Sequence, residues 1–301
     1  QEIDVLGEFA DHVCSVIDVS NLRALKVVAD TANGMGGLIL PPIFKKLPFE
    51  LEILFPELDG NFPNHPADPL RQENQEHLRQ RVLETKADIG LAFDGDADRV
   101  FLLDEKGESI SGSLTTALIA DQILREKSDE SVIYNLICSK VVPEVILERG
   151  GIGIRSRVGH SFIKELMEKH DAVFAGEHSG HYYFRENYRA DSGVMASLVV
   201  LRALSQYQGK LSEMLEPFER YESSGELNFS VTDVRASIEK IEEHYKTSIV
   251  DRLDGLTVDV GDWWFNLRPS NTEPLLRLNI EANNKKVCAQ AIEEVRTLLT
   301  Q

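Results

Sequence analysis

Strand-length apolar runs alternate with helix-periodic stretches along most of this chain, and that alternation limits its fold more than any other feature. Ile3, Leu6, Phe9, Ala10, Val13 and Ile17 recur at helical spacing, as on a helix with one buried face. An apolar run over 25–29 follows, and Asn33-Gly34-Met35-Gly36-Gly37 then turns the chain into a helical stretch over 38–47. Those glycines lack the Gly-x-Gly-x-x-Gly order of a dinucleotide loop, so they read as a turn into a helix. The rhythm continues with a helix over 73–86, a strand over 89–93 and a strand pair turning at Glu105-Lys106-Gly107. Next come a helix over 113–126, a strand over 132–137, a helix over 142–149 and a strand over 152–155. Strands separated by helices in this way predict α/β layers. The rhythm changes in the polar stretch 216–225, which suits a hinge. Beyond it come a strand, a helix, a hairpin at Val260-Gly261-Asp262, a strand over 275–280 and a closing helix, a small α+β unit. Domain edges are expected near residues 107 and 217, giving 1–107, 108–216 and 217–301.

The predicted strand Ile89-Gly90-Leu91-Ala92-Phe93 runs straight into Asp94-Gly95-Asp96-Ala97-Asp98-Arg99. Side chains two apart share a face of an extended segment, so Asp94, Asp96 and Asp98 can converge, and converging like charges need a cation. Three hard oxygen ligands suit Mg²⁺ or Ca²⁺ rather than a thiolate-seeking metal. The spacing also touches the EF-hand pattern, with Glu105 in its last ligand position. Arg99 stands where that loop needs glycine, however, and strand-like flanks replace its helices. A solvated acidic turn is the plainest alternative. Mg²⁺ leaves coordination positions for water and phosphate, so the magnesium reading implies a phosphorylated partner.

Gly176-Glu177-His178-Ser179-Gly180-His181 lies between Ala172-Val173-Phe174-Ala175 and Tyr182-Tyr183-Phe184, a strand-loop-strand junction. Glu177, Ser179 and His181 alternate toward one side, where a carboxylate, a hydroxyl and an imidazole can bind vicinal sugar hydroxyls and shuttle a proton. Glu177, His178 and His181 also have the spacing of a helical zinc site, but Gly176 and Gly180 oppose the helix it requires. A third string, Arg268-Pro269-Ser270-Asn271-Thr272-Glu273-Pro274, follows the strand-like Trp263-Trp264-Phe265-Asn266-Leu267 and reads as a donor-rich turn. Arg268 offers a planar fork to phosphate, Ser270, Asn271 and Thr272 add hydroxyl, amide and backbone donors, and Pro269 bends the chain. Taken alone, this string is more simply a polar loop.

In this order and at these separations, the three strings resemble those of the α-D-phosphohexomutase family, in its phosphomannomutase/phosphoglucomutase branch. The similarity runs along essentially the whole chain. The resemblance implies two α/β/α domains with small mixed sheets, followed by a smaller α+β C-terminal domain. It also implies a Mg²⁺-dependent isomerase that moves phosphate between the 6- and 1-positions of mannose or glucose through a bisphosphorylated sugar. Asp94, Asp96 and Asp98 match the family's metal ligands, which makes 1–107 the metal-binding domain, and Arg99 falls near the transferring phosphate. Glu177, Ser179 and His181 match contacts to the sugar hydroxyls in 108–216, and His160, in Arg157-Val158-Gly159-His160-Ser161, matches another sugar-side position. His181 is the local candidate for proton transfer. Arg268, Ser270, Asn271 and Thr272 match the grip on the phosphate that is not transferred, in 217–301. All three strings then belong in one cleft, closed by domain movement.

The family's phosphoryl donor is a phosphoserine in a Ser-His-Asn-Pro string on an additional N-terminal domain. No such string occurs here, and the nearest lookalike, Asn64-His65-Pro66, has no serine. The chain is therefore expected to lack that domain and to be inactive alone, because covalent transfer needs an activated group. Ile137 stands at or near a position where relatives carry lysine, which leaves open whether Lys140 substitutes. His178 leans toward mannose and glucose substrates. A phosphoglucosamine mutase, whose sugar loop is similar, is the runner-up, and a non-catalytic module binding sugar phosphate and Mg²⁺ is the alternative of another class.

Composition narrows the partners. The 32 basic and 50 acidic residues give a net charge of −18, which argues against nucleic acid, whose affinity comes from Lys and Arg. An anionic sugar phosphate then needs a local positive field from Arg99, Arg268 and Mg²⁺. No apolar run approaches the roughly 20 residues of a membrane span, and no basic segment with a following apolar stretch marks a secretory signal. Cys14, Cys138 and Cys288, widely spaced and odd in number, read as buried thiols in a reducing, cytoplasmic setting.

Overall fold

The computed structural model describes residues 3–18, 22–270 and 275–300. Three sheets organise them. The first has the strand order Glu50–Leu54, Lys26–Asp30, Ile89–Phe93, Val100–Leu103, Ser109–Ile110. Its first three strands are parallel and its last two antiparallel. The second has the order Ile152–Ser156, Ser131–Asn135, Phe174–Gly176, Tyr182–Phe184, parallel except for the last strand. The third, Glu222–Ser230, Leu275–Ala282, Trp263–Pro269, Leu256–Asp259, Ile249–Asp251, is antiparallel throughout. The expected order of two α/β layers with small mixed sheets and a sheet-rich α+β unit is what the chain adopts.

Parallel strands are buried on both faces, which is why they read as continuous apolar runs. Val27 and Ala29 enter one core with Ile89, Leu91 and Phe93, while Val28 enters another with Leu78, Val82 and Leu103. The first of these cores continues into the second layer, taking in Val132, Phe174, Tyr182 and Phe184. Two helices carry it across. Gly193–Gln206 packs on Val100–Leu103, Gly112–Glu126 packs on Phe174–Gly176, and the two helices pack on each other. Each has a serine cap: Ser111 Oγ accepts from Leu114 N–H and Ser192 Oγ from Met195 N–H, both at 3.2 Å. Gly193–Gln206 is buried along nearly its whole length, as a helix apolar on all sides must be.

The third sheet has its own core. Alternation sends Phe265, Leu267, Leu276, Leu278 and Ile280 under the helices Val234–His244 and Lys285–Thr300. The same period turns Trp264, Asn266, Arg268, Arg277, Asn279 and Glu281 to the opposite face. The polar side of this unit docks on the second layer. Arg155 pairs with Asp251 and donates to Thr257 Oγ1 at 3.1 Å. Lys140 donates its backbone N–H to Glu281 Oε2 at 2.9 Å, and its ammonium lies 2.7 Å from Asp259.

Three local expectations change. The second helix runs Gly36–Phe44, starting inside the glycine turn and stopping short of residue 47, where Lys46 N–H and Leu47 N–H donate three residues back, to the Ile43 and Phe44 carbonyls at 3.0 and 3.1 Å. The polar stretch 216–225 is not an open hinge: its start is the 3₁₀ turn Glu216–Phe218, and Glu222–Ser230 pairs with Leu275–Ala282 through a bulge. Gly225, at φ +64°, supplies the left-handed residue beside that bulge. Finally, Arg268 and Pro269 belong to a strand rather than a turn, held by the register Arg268–Arg277 and Pro269–Leu276. Among the described residues no helix is long and apolar enough to cross a membrane.

Candidate active site

The acidic string leaves the carboxyl end of a parallel strand, where ligand crevices of α/β sheets lie. Its backbone is fixed from two sides. Ala97, buried at φ +62°, accepts at its carbonyl from Gly193 N–H at 3.2 Å. The Gly95 carbonyl accepts from Met35 N–H at 2.8 Å, and a Cβ on neighbouring Gly34 would sit 2.5 Å from that same oxygen. Only glycine fits at 34.

Held this way, Asp94, Asp96 and Asp98 bring carboxylate oxygens within 4.8 Å of one another. Asp94 is buried and accepts from the Arg99 backbone N–H at 3.2 Å and from its Nε at 2.8 Å. Asp98 Oδ1 is buried with no hydrogen-bond partner among the described residues. Burial, then the neighbouring Asp94 and Asp96, push the Asp98 carboxyl up to about 7. A buried carboxylate oxygen without a donor, facing two further carboxylates, is what a hard divalent cation satisfies, so these residues fit Mg²⁺. The calcium-loop alternative fails: the flanks are the strands Ile89–Phe93 and Val100–Leu103, and Glu105 instead accepts from Ser212 N–H at 3.2 Å and Oγ at 2.7 Å.

The string 176–181 meets the acidic one directly. Arg99 and His181 form an isolated antiparallel bridge, and Val100 N–H donates to the Gly180 carbonyl at 3.2 Å. His181 Nε2 thereby lies 3.8 Å from Asp98 Oδ1, and Ser179 Oγ lies 3.0 Å from His181 Nδ1. Burial holds His181 below the ordinary imidazole value, against the pull of Glu177. Glu177 is itself buried, accepting from Tyr183 Oη at 2.7 Å and Asn135 Nδ2 at 3.2 Å. Its Oε2 also accepts from Gly159 N–H at 3.5 Å, which anchors the turn presenting exposed His160 at the start of the helix His160–His170.

His178 turns the other way, with Nδ1 3.0 Å from Ser113 Oγ. It does not pair with His181, and among the described residues no ligand cluster contains both, so the zinc arrangement is not assembled. The charges of Glu226 and Arg268 do reach His178, which puts Arg268 on this side of the loop.

Arg268 is buried, and its Nη2 donates to Glu226 Oε2 at 2.8 Å. Its cross-strand partner Arg277 pairs with Glu226 Oε1 at 3.4 Å and donates from Nη2 to Ser270 Oγ at 3.4 Å. Asn271 and Thr272 lie outside the described residues. Sequence reasoning missed Arg277 and Glu226: the available signal was the alternation of Arg277, Asn279 and Glu281 with apolar residues along the strand Leu275–Ala282. Lys140, for its part, is engaged by Asp259.

Models of the phosphoglucomutase/phosphomannomutase family match almost the whole chain: its α/β/α domain II at residues 7–107, its α/β/α domain III at 111–221 and its C-terminal domain at 226–298. The chain belongs to this family. Among its relatives, the phosphomannomutase of Methanocaldococcus jannaschii is 43% identical over 277 residues, covering 92% of this chain and 62% of that protein. The phosphomannomutase of Escherichia coli K12 is 38% identical over 308 residues, covering 100% of this chain and 67% of that protein. A solved phosphoglucomutase/phosphomannomutase family protein from Burkholderia thailandensis has a TM-score of 0.89 and 31% identity, covering 99% of this chain and 65% of its own. This family member therefore spans about two thirds of the length of the relatives it matches.

Proposed function

We propose that these residues form the metal-, sugar- and phosphate-binding parts of a phosphohexomutase that moves phosphate between the 6- and 1-positions of mannose or glucose. The observation that carries this reading is the Arg99–His181 bridge, which sets the three-carboxylate cluster against the hydroxyl-reading loop. Arg268, buried and within electrostatic reach of His178 in that loop, supports an anion subsite beside it. The relatives named phosphomannomutase support the substrate class.

In this reading Glu177, Ser179 and His160 bind ring hydroxyls, while Arg268 and Ser270, with Asn271 and Thr272, hold the phosphate that stays in place. Arg99, fixed by two hydrogen bonds to Asp94, presents its guanidinium to the transferring phosphate. His181, kept neutral by burial, can accept a hydroxyl proton, and Ser179 on Nδ1 orients the ring. Mg²⁺, held by Asp94, Asp96 and Asp98, would neutralise charge on the transferring phosphate. The Ser-His-Asn-Pro string that the resemblance assigns to the phosphoryl donor is not among these 301 residues, so alone they are expected to bind hexose phosphate without turning it over.

Two measurements on the 301-residue chain test this. Calorimetry with Mg²⁺ should show glucose 6-phosphate and mannose 6-phosphate binding, and no binding of either sugar ester overturns the proposal. Intact mass after incubation with glucose 1,6-bisphosphate should show no added phosphate, and a stable phosphorylated species overturns the expected inactivity.

A further inference from the structure

Asp121 lies on the helix Gly112–Glu126 with its side chain only 3% exposed, and a carboxylate so buried must be paired. Two arginines pair with it. Arg125, one turn along the same helix, donates from Nε to Oδ2 at 2.8 Å, and Arg149, just past the helix Val141–Glu148, donates from Nε to Oδ1 at 2.5 Å. Gln122 Nε2 adds a bond to Oδ2 at 2.9 Å. The carboxylate is satisfied, but the guanidinium groups are not. Neither closes bidentately on Asp121, the stronger arrangement, so the Nη groups of both have no acceptor among the described residues, and both side chains reach solvent. Two cations on one carboxylate leave one positive charge in excess, in a chain whose net charge is −18.

Both arginines line a cavity of about 370 Å³ whose floor is apolar, built from the buried Leu118, Val145, Ala203, Met214 and Phe218. The other charges on its wall are spoken for. Arg220 donates from Nη1 and Nη2 to Glu148 Oε1 and Oε2 at 2.6 and 2.8 Å, and Glu213 Oε2 accepts from Lys210 N–H at 3.1 Å. An apolar floor with a few oriented polar groups at one side is the form of a small-molecule site. We propose that this cavity is a second ligand site, for a small organic anion whose phosphate or carboxylate head sits on the Nη groups of Arg125 and Arg149 and whose apolar body lies against Leu118, Met214 and Phe218. Asp121 is its positioning residue, holding the two guanidinium groups side by side. The cavity shares no residue with the acidic string, the string 176–181 or Arg268, so the site stands apart from the reading of those residues.

The test is calorimetric titration of the 301-residue chain with phenyl phosphate and, separately, benzoate, with inorganic phosphate as a head without a body. At least one organic anion should bind saturably, and inorganic phosphate should bind tenfold or more weakly than it. Tighter binding of phenyl phosphate marks a phosphate ester as the head, and tighter binding of benzoate marks a carboxylate. The binding should survive Arg268→Ala and weaken tenfold or more in Arg125→Gln and in Arg149→Gln, the scale of a charged hydrogen bond. If either glutamine variant fails to fold by circular dichroism, Gln206→Trp, at an exposed position on the cavity wall that leaves the partners of Asp121 in place, should block the same binding. No saturable binding of either organic anion overturns the proposal. So does binding lost in Arg268→Ala but unchanged in folded Arg125, Arg149 or Gln206 variants, or inorganic phosphate binding as tightly as the organic anions.

Discussion

His181 Nε2 lies 3.8 Å from Asp98 Oδ1, where a strand-joining loop of the first sheet meets one of the second. The two residues are distant in sequence, and the bridge at Arg99 brings them together. Under the proposed function, a cation held by Asp98 and a proton on His181 would repel each other across this short distance.

Asp96 is the exposed member of the carboxylate cluster, and its change should disturb folding least. Asp96→Asn is expected to weaken Mg²⁺ binding about tenfold or more, the scale of ~1–4 kcal/mol for unit charges ~4 Å apart near a surface. Magnesium titration checks this, and an unchanged affinity would count against the assignment.

Gly34→Ala would drive a methyl group into the Gly95 carbonyl, 2.5 Å away. Overpacking against backbone is expected to destabilise the chain by about 1–3 kcal/mol and to loosen the acidic loop. Denaturant melts and Mg²⁺ affinity should fall together. A variant as stable as the parent would mean that this approach is looser than described.

His65 places Nε2 3.1 Å from both oxygens of Asp30 and Nδ1 2.9 Å from the Pro66 carbonyl, so both ring nitrogens face acceptors. The hydrogen bond to Asp30 outweighs burial and raises the imidazole above its usual value. A group raised in the folded state contributes stability fully below its unfolded pKa, about 6.5 for histidine, and loses it as pH rises through the folded value. Unfolding free energy should therefore decline above about pH 6.5, and the decline should shrink in His65→Gln. An identical pH profile in that variant contradicts the ion pair.

Lys140→Met removes the contact with Asp259, in which both side chains are about one-third exposed. Stability should change by less than about 1 kcal/mol, as for other exposed pairs. The C-terminal unit has its own core and stays folded, but it should dock less firmly, raising protease cleavage around residues 219–221. Unchanged cleavage would show that Arg155, with Asp251 and Thr257, suffices to hold the unit.

Much of this fold can be read in the sequence because burial on both faces makes parallel strands such as Ile89–Phe93 continuously apolar, and because amphipathic periods mark the helices. The acidic and sugar-side strings were legible for a similar reason: each is local, and each follows a strand. What the sequence did not reveal depends on pairing between distant segments. Glu226 sits in a polar stretch that looks like linker, and only its strand pairing aims it at Arg268 and Arg277. His178 and His181 share a string but face opposite partners, Ser113 and Ser179, which spacing alone does not separate. Lys140's attachment to Asp259 likewise exists only once the third sheet docks.

A crystal structure of the 301-residue chain grown with Mg²⁺ and glucose 1,6-bisphosphate tests the account most directly. It should show one bisphosphorylated sugar spanning the site, with Mg²⁺ on Asp94, Asp96 and Asp98, ring hydroxyls on Glu177 and Ser179, and the far phosphate on Arg268. Metal and sugar ester in separate crevices, or the ester away from the Glu177 loop, would contradict it.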